Sequence, residues 1–144
     1  MTDPAFEAAY QAARESLSQG GIPIGAALAR GGEVIAVGHN ERVQHGDPIA
    51  HGEMSALRAA GRQRSYRDTV LYTTLAPCAM CTGTIIQFKI PHVVVGEAQT
   101  FAGEFELLRS RGVVVEVLDD GRCVDMMRQF QQEHPQLWAE DIAE

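Results

Sequence analysis

At 144 residues the chain is long enough to bury a sizeable core and short enough to be read as one domain, 1–144. Its 45% hydrophobic and 22% charged residues are those of an ordinary folded protein, and no run approaches the roughly 18 apolar residues of a membrane span. The formal net charge of −7 argues against a partner that is polymeric nucleic acid, whose affinity rests on neutralised phosphates, but leaves room for a small, weakly charged base.

Asp3-Pro4 marks a helix start, a capping side chain followed by a proline whose missing N–H costs nothing there. Phe6, Ala9, Tyr10, Ala13 and Leu17 then share one helical face, and Gly20-Gly21 ends it. "IPIGAALAR" and "EVIAVG", joined across Gly31-Gly32, read as a hairpin. "HGEMSALRAAG" reads as a helix closed by Gly61, "TVLYTTL" as a strand, and Pro77 as the start of a helix carrying Cys78 and Cys81. "HVVVG" from His92 and "GVVVEVL" from Gly112 are unbroken β-branched runs, the pattern of strands covered on both faces, with "FELLRSRG" between them as a crossover helix. A last helix is expected from Arg122 to His134, stopped by Pro135. The order α-β-β-α-β-α-β-α-β-α predicts an α/β protein with a five-stranded mixed sheet and helices on both faces.

Three cysteines, two of them only three residues apart, and a first segment "MTDPAFEAAY" without the features of a secretory leader predict a reducing, cytoplasmic setting without a disulfide framework. There a Cys-x-x-Cys pair is a metal site, a redox pair or two buried thiols. At a helix start, free N–H groups and the helix dipole favour thiolates. His51 tips the balance toward metal. Two thiolates and one imidazole leave a tetrahedral zinc with an open position, the arrangement of a catalytic site. Cys123, His39, His45, His92 and His134 stand at no ligand-like spacing to the pair.

Glu53 lies two residues beyond His51, so on a helix it points away from the ligand set yet within reach of water on the metal. Two thiolates cancel the zinc charge and weaken its hold on a water proton. A neighbouring carboxylate that takes that proton then becomes valuable. His-x-Glu followed by Pro-Cys-x-x-Cys is the signature of zinc-dependent nucleobase deaminases.

"GGIPIGAAL", "GHN", "HGEMSAL", "LYTTLAPCAMCTGTII", "IPHVVVGE" and "PQLWAEDIAE" closely resemble the small fungal-type cytosine deaminases, through nearly the whole chain. The resemblance implies a homodimer of three-layer α/β/α, cytidine-deaminase-like subunits, each with one zinc, that turn free cytosine into uracil and ammonia in pyrimidine salvage. It implies that His51, Cys78 and Cys81 hold zinc and that Glu53 is the proton shuttle. Asn40 and Asp141 would contact the base, Ile24, Leu75, Phe101 and Trp138 would wall the pocket, and backbone groups at Gly52 and Cys78 would add hydrogen bonds. The segment 136–144 would help to close the site. Ala76 departs from the family, which carries a hydroxyl there.

The residue chemistry agrees with those roles. An amide such as Asn40 offers donor and acceptor to a pyrimidine, Asp141 accepts from an amine, and aromatic rings stack on a planar base. Rival readings keep the chemistry on guanine, another amino-heterocycle, a nucleoside or a tRNA adenosine. Others discard it, for a non-catalytic zinc interaction domain or a Cys-x-x-Cys redox protein. Glu53 and the missing fourth ligand oppose the interaction domain, and the redox protein leaves His51 and Glu53 unexplained.

Overall fold

Asp3 accepts a hydrogen bond from the Ala5 N–H and so caps α1 (Pro4–Ser18), whose Phe6, Ala9, Tyr10 and Ala13 are buried. These coordinates, a computed structural model, describe residues 3–144. The hairpin follows as β1 (Gly25–Arg30) and β2 (Glu33–His39), antiparallel, with a register slip at Leu28/Ala29. After the one-turn α2 (Arg42–His45), α3 (Gly52–Ala60) ends at Gly61. β3 (Thr69–Leu75), α4 (Ala79–Gln87), β4 (His92–Glu97), α5 (Phe105–Ser110), β5 (Val114–Val117) and α6 (Gly121–Glu133) complete the alternating run. A further helix, α7 (Pro135–Asp141), ends the described chain.

The sheet order is β2-β1-β3-β4-β5. β1 pairs antiparallel with β2 and β3, while β3, β4 and β5 run parallel. This is the expected five-stranded mixed sheet. One face packs on α3, α4 and α5 through Ala56, Leu57, Ile85, Ile90 and Leu108. The other packs on α1 and α6 through Phe6, Tyr10 and Cys123. Gly38 sets the distance on the first face: a Cβ there would fall 2.3 Å from the Ala56 nitrogen, so only glycine lets α3 lie this close to β2.

Three expectations need correction. Pro135 does not end the helical region; it occupies the first turn of α7, where its absent N–H is harmless, and the chain turns between the two helices at His134. α4 begins at Ala79 with Cys78 as its cap, two residues later than a start at Pro77 implies. β4 is buried along nearly its whole length, but β5 is not covered on both faces: it is an edge strand, and Val114 is 60% exposed. The one-turn α2 falls in a polar loop that shows no apolar period.

Candidate active site

The relative directions of the strands bring one end of the sheet together. Ile24 precedes β1, Asn40 follows β2, Leu75 ends β3 and Glu97 ends β4, and α3 and α4 both start beside them. Ligand sites of α/β sheets lie at such an end.

His51 and Cys78 are the N-caps of α3 and α4, and both have extended backbone. Their carbonyls accept the first helical bonds, from Ser55 N and Thr82 N. Their side chains do not cap; they turn toward each other. His51 Nδ1 lies 3.4 Å from Cys78 Sγ and 3.8 Å from Cys81 Sγ. Tetrahedral zinc with ordinary Zn–S and Zn–N lengths sets its sulfur and nitrogen ligands about 3.6 Å apart, between those two values. Among the described residues, the His, Cys and carboxylate ligand atoms that cluster for a metal are those of His51, Cys78 and Cys81, within 4.8 Å of one another. Cys123, packed with Phe6 and Tyr10 across the sheet, is no part of the group. The donor set is therefore that of an open, three-ligand zinc site.

Electrostatics agree. A hydrogen bond from Cys81 lowers the Cys78 thiol to about 4, with His51 helping and burial opposing. Cys81 is pushed upward by sharing that hydrogen bond and by burial. Burial works to lower His51, but the bond to Cys78 and the charge of Asp141 outweigh it and raise the imidazole to about 9. Two crowded sulfurs sharing one proton are a site that a divalent cation relieves. Glu53, in the first turn of α3 and 4% exposed, is pushed up to about 7, chiefly by burial and against the pull of His51. A carboxyl in that range both takes and returns protons near neutrality.

His51, Glu53 and Cys78 line one small, tightly filled cavity. Ile24, Leu75, Phe101, Trp138 and Asp141 complete most of its wall. Phe101 and Trp138 meet edge to face, with ring centroids 5.8 Å apart. Asp141 Oδ1 accepts from Asn40 Nδ2 at 2.9 Å and lies 3.4 Å from His51 Nε2. Asn40 is fully buried behind Asp141 rather than on the cavity surface; its Oδ1 accepts from Arg42 N, and its carbonyl takes the Ser16 hydroxyl. Gly52 is also set back, pressed against the Ile24 carbonyl. Ala76, singled out as a departure, lines the cavity, and Ile142 was not anticipated. The spacing Trp138, Asp141, Ile142 is helical (i, i+3, i+4), the signal that would have found it.

A sandwich of helices about a mixed sheet, with a Cys-Cys-His cradle and a buried glutamate at one end, defines a zinc-dependent hydrolase of the deaminase type. Residues 2–97 match the family model "cytidine and deoxycytidylate deaminase zinc-binding region", and the chain belongs to that family. It is 47% identical over 142 residues to a cytosine deaminase from Candida albicans, covering 96% of this chain and 95% of the relative. It is 35% identical over 137 residues to a tRNA-specific adenosine deaminase from Streptococcus pyogenes serotype M18, covering 87% of this chain and 86% of the relative. The guanine deaminase from Nitrosomonas europaea superposes with a TM-score of 0.78 at 21% identity, over 92% of this chain and 85% of that one, a likeness of fold.

Proposed function

We propose that this protein removes the exocyclic amine of a free nucleobase, converting cytosine and water to uracil and ammonia in pyrimidine salvage. The observation that carries the reading is that Glu53 shares one small aromatic-walled cavity with His51 and Cys78, two of the three clustered metal donors. The net charge of −7 disfavours a folded RNA. The relative at 47% identity supports cytosine over other amino-heterocycles.

Zinc on His51, Cys78 and Cys81 supplies a Lewis acid that makes water easier to deprotonate. Glu53 takes the proton and passes it to the ring nitrogen beside the carbon under attack. It then takes up the remaining hydroxyl proton and delivers a proton to the amine, so that the carbon–nitrogen bond breaks with ammonia leaving and a carbonyl remaining. Asp141 Oδ2, free of a protein donor among the described residues, accepts from the amine. Asn40, behind Asp141, holds that carboxylate in place for the base. Phe101 and Trp138, set edge to face, wall the base together with Ile24 and Leu75, and backbone groups of Gly52 and Cys78 add hydrogen bonds. The single domain closes this site with its segment 136–144.

The three cysteines are free, in keeping with a reducing, cytoplasmic location. No helix among the described residues is long and apolar enough to cross a membrane. We assign the protein as a homodimer joined at the groove between α3 and α4, where Met54, Leu57, Met80 and a 40% exposed Phe88 gather. Light scattering tests this: Phe88→Glu is expected to give monomers.

An ammonia-release panel of cytosine, 5-substituted cytosines, cytidine, guanine, adenine and transfer RNA tests the substrate. Cytosine is expected to lead it. The adenosine deaminase relative makes tRNA adenosine the second reading, and preferential release from transfer RNA would establish it.

A further inference from the structure

Glu97 is a charged-type side chain with 0% exposure that the deaminase chemistry leaves without a task. It ends β4, after the valine run, and forms no ion pair among the described residues. Burying a carboxylate is unfavourable unless several donors converge on it. Here they do, and all come from one short loop. Gln99 N and Thr100 N donate to Oε2 at 2.8 and 3.0 Å, and the Thr100 hydroxyl donates to Oε1. The next residue is Phe101, the cavity wall that meets Trp138.

Two further contacts hold the same loop. Gln131 of α6 donates to the Thr100 carbonyl at 3.3 Å. Gly103, with φ +67°, passes so close to Ala76 and Pro77 that a Cβ would lie 2.7 Å from the Ala76 Cβ. The main chain of Glu97 meets the metal-binding side of the site as well, because Ala76 N donates to its carbonyl at 3.0 Å, two residues before Cys78. One residue thus ties the turn that leads to the zinc thiolates to the loop that carries the aromatic wall.

We propose that Glu97 is a positioning residue that sets Phe101 against Trp138 and thereby fixes the width of the base pocket. The substrate half of this inference rests on the deaminase reading; the loop half does not. Glu97→Met keeps much of the side chain's volume but leaves two N–H groups and a hydroxyl without an acceptor. Glu97→Gln retains one oxygen for the two N–H groups, and its amide can donate to the Thr100 hydroxyl.

Trp138 is the single tryptophan, so its fluorescence reads the loop directly. In zinc-loaded full-length protein, Glu97→Met is expected to increase acrylamide quenching of Trp138 and shift its emission to the red. It is also expected to raise KM for cytosine about tenfold or more with kcat changed far less and zinc content unaltered. Glu97→Gln should stay near wild type. Thr100→Val, which removes only the hydroxyl arm, should move both readouts the same way by less, and it decides the matter if Glu97→Met does not fold. Wild-type quenching and KM in Glu97→Met, or in Thr100→Val where that variant decides, overturn the proposal. So does a Glu97→Gln variant as impaired as Glu97→Met. If the wild type deaminates no base while the quenching changes as expected, the positioning role stands and the substrate reading falls.

Discussion

Asp141 Oδ1 sits 3.4 Å from His51 Nε2, on the side of the imidazole opposite the two sulfurs. The same oxygen takes a hydrogen bond from Asn40. The carboxylate therefore fixes which imidazole nitrogen faces the two sulfurs. Partners of this kind tune a metal ligand as well as orient it. Asp141→Ala is expected to weaken zinc affinity about 10–100-fold and to slow base turnover even when zinc is saturating. Competition with a chromogenic chelator, followed by kinetics in excess zinc, separates the two effects. Unchanged affinity would show that the 3.4 Å contact does not support the ligand.

Glu53 is buried in the cavity wall but outside the ligand set. Replacing it with Gln preserves size and removes the ability to shuttle a proton. Glu53→Gln should bind zinc as wild type does and lose about 10²–10⁴-fold in kcat, the usual contribution of general acid–base catalysis. Near-normal turnover in a zinc-replete sample would refute the shuttle.

The three donors come from two helix starts that would otherwise hold crowded, partly charged sulfurs. Metal analysis should give one zinc per chain. Chelation should abolish ammonia release and lower Tm. Re-addition of zinc at a thousand times its Kd should restore activity and about 4 kcal/mol of stability, as expected for a ligand that binds only the native state. A Tm insensitive to the chelator would place the metal elsewhere.

Away from the site, Asp120 caps α6 and pairs with Arg122 Nη2 at 2.9 Å. Its hydrogen bond with Arg122 is the main cause holding the carboxyl below its ordinary 3.8. A depressed native value means the pairing contributes fully above about pH 4 and is lost as pH falls through the native value. Asn caps nearly as well, so Asp120→Asn isolates the charge. The variant should be less stable by about 0.2–1 kcal/mol at pH 7, the range for surface pairs. Urea melts should show that gap closing below pH 3.8.

The strands and longer helices were legible because each carries its own period or apolar run. The metal cradle was legible because its spacing is chemical: His51, Glu53 and the Cys78/Cys81 pair need one another. Elements shorter than their own signal were not. α2 is a single turn, and α7 was hidden by reading Pro135 as a stop when the same ring serves equally as a start. β5 resembles β4 in composition, and only its place at the sheet edge leaves it exposed. Asn40 was expected at the base; it lies behind Asp141, a layering that spacing along the chain does not encode. Glu97 passed unnoticed because a glutamate after "VVVG" reads as the end of a strand. Its burial appears only once the 98–101 loop folds back over it.

His51 and the two cysteines lie on opposite sides of β3 in the chain, and β3 sits between β1 and β4 at the middle of the sheet. No fraying of a peripheral helix brings these donors apart; the central pairing must fail first. The moment at which denaturant frees zinc to a fluorescent indicator is therefore a clock for cooperative disassembly of the whole domain.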